Sequence, residues 1–113
     1  KIQTILKKKR KLFAFYDQIF RKNSFLKLVN EPKMCKSNFW LQTILLDAKF
    51  SNLSEKIKNN LNDHKIHVRP GWELMVNLKH FSKCPKMNIL TAKKVYKRII
   101  NIPSSSFLIN NLK

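Results

Sequence analysis

Glycine is almost missing from this chain: among 113 residues there is one, Gly71. That excludes a glycine-rich loop of the usual phosphate-cradling kind, and it excludes the glycine-flanked elbow that presents a nucleophilic serine. Acidic residues are nearly as scarce, six in all, and their scatter offers no carboxylate pair for acid–base work. Cysteine is limited to Cys35 and Cys84, far apart, which fits a reducing cytoplasm better than a disulfide scaffold. No apolar run approaches the roughly 18 residues of a membrane span, so no membrane partner is expected. The start, Lys1-Ile2-Gln3, has neither a methionine nor the apolar stretch of a signal peptide, and the chain reads as an internal fragment or processed product. Internal repeats and low-complexity linkers are missing too. What these absences leave is one domain with a modest core.

Against six acidic residues stand 24 Lys and Arg, for a net charge of +18. Such an excess points first to nucleic acid, with the run Lys7, Lys8, Lys9, Arg10 and Lys11 as the contact. Two features argue for compositional bias instead. Lysine outnumbers arginine 20 to 4, although the arginine fork is what recognition of phosphates and bases favours. Asparagine and isoleucine are also abundant, as AT-rich coding produces without selection for binding. A basic RNA-binding or ribosomal-type protein therefore stays as the alternative, and the run at 7–11 is expected to lie mostly on the solvated side of its helix.

Residues 1–22 predict an amphipathic helix, because Ile2, Leu6, Phe13, Tyr16 and Phe20 recur at three- and four-residue steps, with Ile5, Leu12 and Ile19 beside them. Residues 25–29 suit a short strand, and a break at Asn30-Glu31-Pro32-Lys33 opens a loop to about Asn38. Residues 39–46 are the best strand, aromatic and β-branched and almost uncharged. Asn52 with Glu55 fits a capping box for a helix to about Asn62, whose Leu53, Ile57 and Leu61 form one buried stripe. A strand follows at 66–69. After it, Trp72, Leu74, Met75 and Leu78 predict a short helical segment, 80–85 a loop, and Asn88 or Thr91 the cap of a last helix facing Ala92, Val95, Tyr96 and Ile99 inward. Ile100-Asn101-Ile102, stopped by Pro103, suits a strand at an edge.

The chemistry-bearing stretch is His67-Val68-Arg69-Pro70-Gly71-Trp72. An arginine closing a strand beside a rigid turn and an aromatic ring is well placed for an anion, since its fork pairs two oxygens at once. Cys35, Cys84, His67 and His80 are the potential zinc ligands, but Cys35 has no close second ligand, and structural zinc sites come as tight pairs. No metal is expected.

Taken with Ser37-Asn38-Phe39-Trp40-Leu41-Gln42-Thr43 before it, and Ala92 and Arg98-Ile99-Ile100-Asn101-Ile102-Pro103-Ser104-Ser105 after it, this stretch resembles the C-terminal region of DegT/DnrJ/StrS-type sugar aminotransferases. These are pyridoxal-phosphate enzymes of fold type I that aminate nucleotide-linked keto sugars. The likeness extends to the bacillosamine, legionaminic and perosamine-type members, which carry a similar Arg-Pro-x-Trp turn and Asn-Ile-Pro-Ser ending. It covers nearly the whole chain but only the last third or so of such an enzyme.

The resemblance implies a small α/β (α+β-type) domain: about three mostly antiparallel strands with helices on one face. Residues 1–22 would be the helix linking to a large domain, 23–105 the small domain and 106–113 a tail. That helix would lack a partner for its apolar face here. The resemblance also implies that the Schiff-base lysine and the acidic partner of pyridoxal phosphate belong to the large catalytic domain, so this chain alone would not transaminate. Arg69 first, then Trp72 and His67, would face the nucleotide-sugar substrate, while Trp40 and Asn101-Ile102-Pro103 would be packing. The complete enzyme would be a cytoplasmic homodimer using glutamate to make amino sugars for surface polysaccharides.

Overall fold

Gln42, Ile44 and Leu46 alternate with Thr43 and Leu45 along one strand, and that alternation decides which face of the sheet is dry. The computed structural model describes residues 1–110 and contains helix α1 (Ile2–Phe20), strands β1 (Leu26–Leu28) and β2 (Gln42–Leu46), helix α2 (Ser54–Asp63), strand β3 (Arg69–Pro70), helix α3 (Leu90–Tyr96) and strand β4 (Ile99–Ile102). The strands form one antiparallel sheet in the order β1-β2-β4-β3. Ile44, Leu46, Val68, Ile100 and Ile102 make the buried cluster, and Tyr16 and Phe20 of α1 and Ile57 and Leu61 of α2 pack against it. Each such side chain taken out of water contributes roughly 1.5–3 kcal/mol. Helices on one face of a small antiparallel sheet are as expected. The other face carries Lys27, Thr43, Leu45, Ile99, Asn101 and Arg69.

Several expectations are corrected. The sheet has four strands, because residues 26–28 pair with β2. β4 is central, paired on both sides, and Pro103 falls just after it, where no ladder donor is needed. The edges are β1 and β3, the latter only two residues long. Val68, expected in that strand, has its backbone taken by the Asn62 side chain, which accepts from Val68 N–H at 2.9 Å and donates to its carbonyl at 3.3 Å. β2 begins at Gln42 rather than Phe39, because Phe39 is left-handed (φ 47°).

The expected capping box at Asn52 is replaced by Asp47, whose carboxylate accepts from Lys49 N–H and starts a 3-10 turn (Ala48–Leu53) running into α2. Leu53 belongs to that tighter turn, rotates off the stripe and stands 39% exposed. The helical segment expected after Trp72 shrinks to 3-10 turns at Met75–Asn77 and Lys79–Phe81, the second lying in the expected loop. The N-cap of α3 is Ile89 rather than Asn88 or Thr91, though Asn88 Oδ1, one residue before it, accepts from Leu90 N–H at 3.0 Å. Gly71 is not left-handed, so Pro70 supplies the stiffness of the turn. Of the tail, Leu108–Asn110 form a 3-10 turn against α1 and residues 111–113 lie outside the described residues.

α1 is more integrated than its sequence suggested. Leu12 is fully buried, and the Tyr16 hydroxyl donates to the Pro103 carbonyl at 2.9 Å, while Ile2 and Ile5 at the amino end remain exposed.

Candidate functional site

The open face of the sheet brings three polar residues into one row. Thr43 on β2 pairs with Asn101 on β4, which pairs with Arg69 on β3, and directly paired residues share a face. The Thr43 hydroxyl donates to Asn101 Oδ1 at 2.8 Å, and Asn101 Nδ2 donates to the Pro70 carbonyl at 3.0 Å. This chain of bonds fastens the short edge strand to the centre of the sheet. Asn101 is thus more than packing, as it sets the turn that carries Arg69 and Trp72.

The four arginines divide by what holds them. Arg10 makes two bonds to the Glu31 carboxylate, Arg21 pairs with Asp17, and Arg98 donates to the Lys94 and Leu46 carbonyls. Arg69 is exposed and, among the described residues, makes no such bond. An unspent guanidinium on a fixed strand is suited to an outside anion.

Trp72, just past the turn, is 75% exposed and so does not plug the core. Its ring stands edge-on to Trp40, with centroids 6.0 Å apart and planes at 82°. Trp40, expected to be packing, is itself 61% exposed. The two rings, with Leu41, Thr43, Ile99 and Asn101, line a shallow cavity of about 320 Å³. Arg69 lies beside it, one sheet position from Asn101. His67 is exposed and outside both the strand and the cavity lining.

Sequence reasoning missed Trp40, although one signal was available. Phe39 and Trp40 are adjacent, and a sheet with one dry face does not bury two neighbouring rings of an extended segment. Phe39 takes the inside, stacked on Phe13 at 4.2 Å with the Arg10 guanidinium 5.1 Å from its ring centroid, and Trp40 the outside.

The basic run is corrected in part. Lys9 turns inward and its ammonium donates to the carbonyls of Phe39 (3.3 Å), Trp40 (3.2 Å) and Ser104 (2.7 Å). Partial burial holds its pKa below the ordinary lysine value. Arg10 also leaves the solvated side. Its hydrogen bonds to Glu31, joined by the Ser37 N–H, hold that carboxyl below the usual glutamate range. Lys7, Lys8 and Lys11 are what remains of the cluster.

Cys35, Cys84, His67 and His80 are not brought together; among the described residues, no three His, Cys, Asp or Glu side chains group as metal ligands would. Nor do the residues fit pyridoxal phosphate. A Schiff base needs a shielded lysine amine that is not already committed. Among the described residues the one buried lysine, Lys58, is paired with Glu55, and all three donors of Lys9 are taken by carbonyls.

With fold and site in view, the relationship is direct: the chain belongs to the DegT/DnrJ/EryC1/StrS aminotransferase family, whose model matches residues 1–111. No curated protein matches its sequence. Its fold is similar to part of Helicobacter pylori PseC, an aminotransferase involved in the biosynthesis of pseudoaminic acid (TM-score 0.82, 20% identity, 94% of this chain and 30% of that one). It is also similar to part of the aminotransferase TlmJ from Streptoalloteichus hindustanus (TM-score 0.79, 13% identity, 94% of this chain and 29% of that one). A third similarity is to the sugar aminotransferase CalS13 from Micromonospora echinospora (TM-score 0.74, 15% identity, 90% of this chain and 26% of that one). The chain thus spans less than a third of the length of these solved relatives. Among the described residues, no helix is long and apolar enough to cross a membrane.

Proposed function

We propose that this chain is the C-terminal small domain of a pyridoxal-phosphate-dependent nucleotide-sugar aminotransferase. In this reading residues 1–22 lead from a large domain that holds the cofactor and its lysine, 23–105 close over the substrate, and 106–113 are a tail. The complete enzyme is a cytoplasmic homodimer that moves an amino group, usually from glutamate, to a keto sugar carried on a nucleotide, for surface polysaccharides. Arg69 takes an anionic part of the substrate, with Trp72 beside it and His67 at the rim. The observation that carries this is the unspent Arg69 guanidinium, set by the Thr43–Asn101–Pro70 bonds on an open sheet face beside two exposed indoles.

The test is Arg69→Ala in the complete natural polypeptide. Losing a charge-assisted contact of about 1.5–3 kcal/mol lowers kcat/KM for the nucleotide sugar about 10- to 150-fold. Folding should survive, because Arg69 is exposed and packs against little. Unchanged kinetics would remove Arg69 from the site.

A further inference from the structure

Trp40 is held by more bonds than an exposed side chain requires. Its N–H donates to Asn38 Oδ1 at 2.9 Å, and its carbonyl accepts from the Lys9 ammonium at 3.2 Å and the Ser104 hydroxyl at 2.8 Å. Three parts of the fold (helix α1, the loop before β2 and the segment just after β4) therefore meet at the main chain of one residue. The residue before it, Phe39, sits at φ 47°, a left-handed conformation that a bulky residue keeps only when its surroundings over-determine it. Those surroundings are present: Phe13 and Arg10 on its ring and Lys9 on its carbonyl. Yet little of the Trp40 ring is used for packing, since 61% of the residue remains exposed. What the arrangement secures is the position of the ring, edge-on to Trp72 at 6.0 Å.

The chemistry of this corner narrows what it takes. Leu41 and Ile99 are apolar, and the polar floor is already engaged, since the Thr43 hydroxyl and Asn101 carboxamide bond to each other and to Pro70. Such a site offers aromatic surface and little hydrogen-bond readout. It selects a ring by its flat or weakly polar face and tolerates differences at the ring edge. Arg69, in the same row of the sheet as Thr43 and Asn101, places a cation beside the corner. We propose that Trp40 is a binding residue, the second aromatic wall of a subsite for a ring attached to phosphate, as a nucleotide-linked sugar presents in its base or its pyranose. This rests on the reading of Arg69 and Trp72 as substrate-facing.

The test is calorimetric titration of the complete natural polypeptide, as wild type and as Trp40→Ala, Trp40→Phe and Arg69→Ala. Three probes are used: uridine diphosphate, N-acetylglucosamine 1-phosphate and inorganic pyrophosphate. Loss of one stacking surface weakens at least one ring-bearing probe about 5- to 100-fold in Trp40→Ala, and Trp40→Phe recovers most of it. Pyrophosphate, which has no ring, keeps its affinity within about twofold in Trp40→Ala and loses it in Arg69→Ala. The probe that responds identifies the ring in the corner, base or sugar.

Equal weakening of pyrophosphate and the ring probes by Trp40→Ala would mean that Trp40 only braces its loop, and would overturn the proposal. So would ring affinities unaffected by Trp40→Ala, or a wild-type protein that binds neither ring probe. Assaying the same wild-type protein for transamination of nucleotide sugars separates the two claims. Without that activity the proposed function falls, while a ring-selective loss in Trp40→Ala still stands.

Discussion

At the scale of single residues, the chain uses its positive charge as internal scaffolding. Lys9 offers three donors on a flexible stem, and the fold directs all three at the carbonyls of Phe39, Trp40 and Ser104. Lys9→Met keeps the stem and removes the donors, so it isolates the bonds from the packing. The expected cost is about 2 kcal/mol, read as a lower urea midpoint with unchanged slope. A midpoint equal to wild type would show that water replaces the ammonium without loss. The sequence made Lys9 look solvated because a run of five basic residues carries no mark of which ones turn inward. Only the distant partners, Phe39, Trp40 and Ser104, decide that. The exposed place of Arg69 next to Pro70 was legible by contrast, since that setting is local.

At the scale of elements, local patterns were readable and pairings were not. Three- and four-residue spacing located α1 and α2, an aromatic, β-branched and almost uncharged composition located β2, and the alternation of Ile100-Asn101-Ile102 located β4. The order of the strands depends on contacts across the chain, so β4 was misplaced at an edge. Ile100 shows what that changes: it is fully buried at the centre of the sheet, against β2 on one side and β3 on the other. Ile100→Ala is expected to cost about 2–5 kcal/mol, whereas Leu53→Ala, in the stripe that sequence spacing marked as buried, should cost less than about 0.5 kcal/mol. Thermal or urea unfolding of the two variants decides between the stripe and the observed 3-10 turn. Equal costs would mean that Leu53 packs as its spacing suggested. β3 was unreadable for a related reason, since a side chain, Asn62, takes the bonds that a longer strand would have made with its neighbour.

At the scale of the whole molecule, charge is the dominant long-range force and the acids do little to balance it. Among the described residues, three ion pairs, Arg10–Glu31, Arg21–Asp17 and Lys58–Glu55, engage three cations of a chain that carries 24. The molecule measures 49 × 31 × 27 Å. At roughly 0.01 M salt the screening length of about 30 Å spans most of it, while at about 0.15 M it falls to about 8 Å and only neighbours repel. The same charge attracts RNA, and the salt dependence of that attraction tells a built interface from a compositional one. With Lys9 and Arg10 turned inward, the run at 7–11 presents Lys7, Lys8 and Lys11 to a strand. Three phosphate contacts give a slope of about −2 for log affinity against log salt with single-stranded RNA. Binding that shallow, measured by anisotropy of a labelled oligonucleotide, is expected to vanish near physiological salt. A slope steeper than about −4, with saturable binding persisting there, would mean that lysines across the surface act together, and would put an RNA partner ahead of the nucleotide sugar.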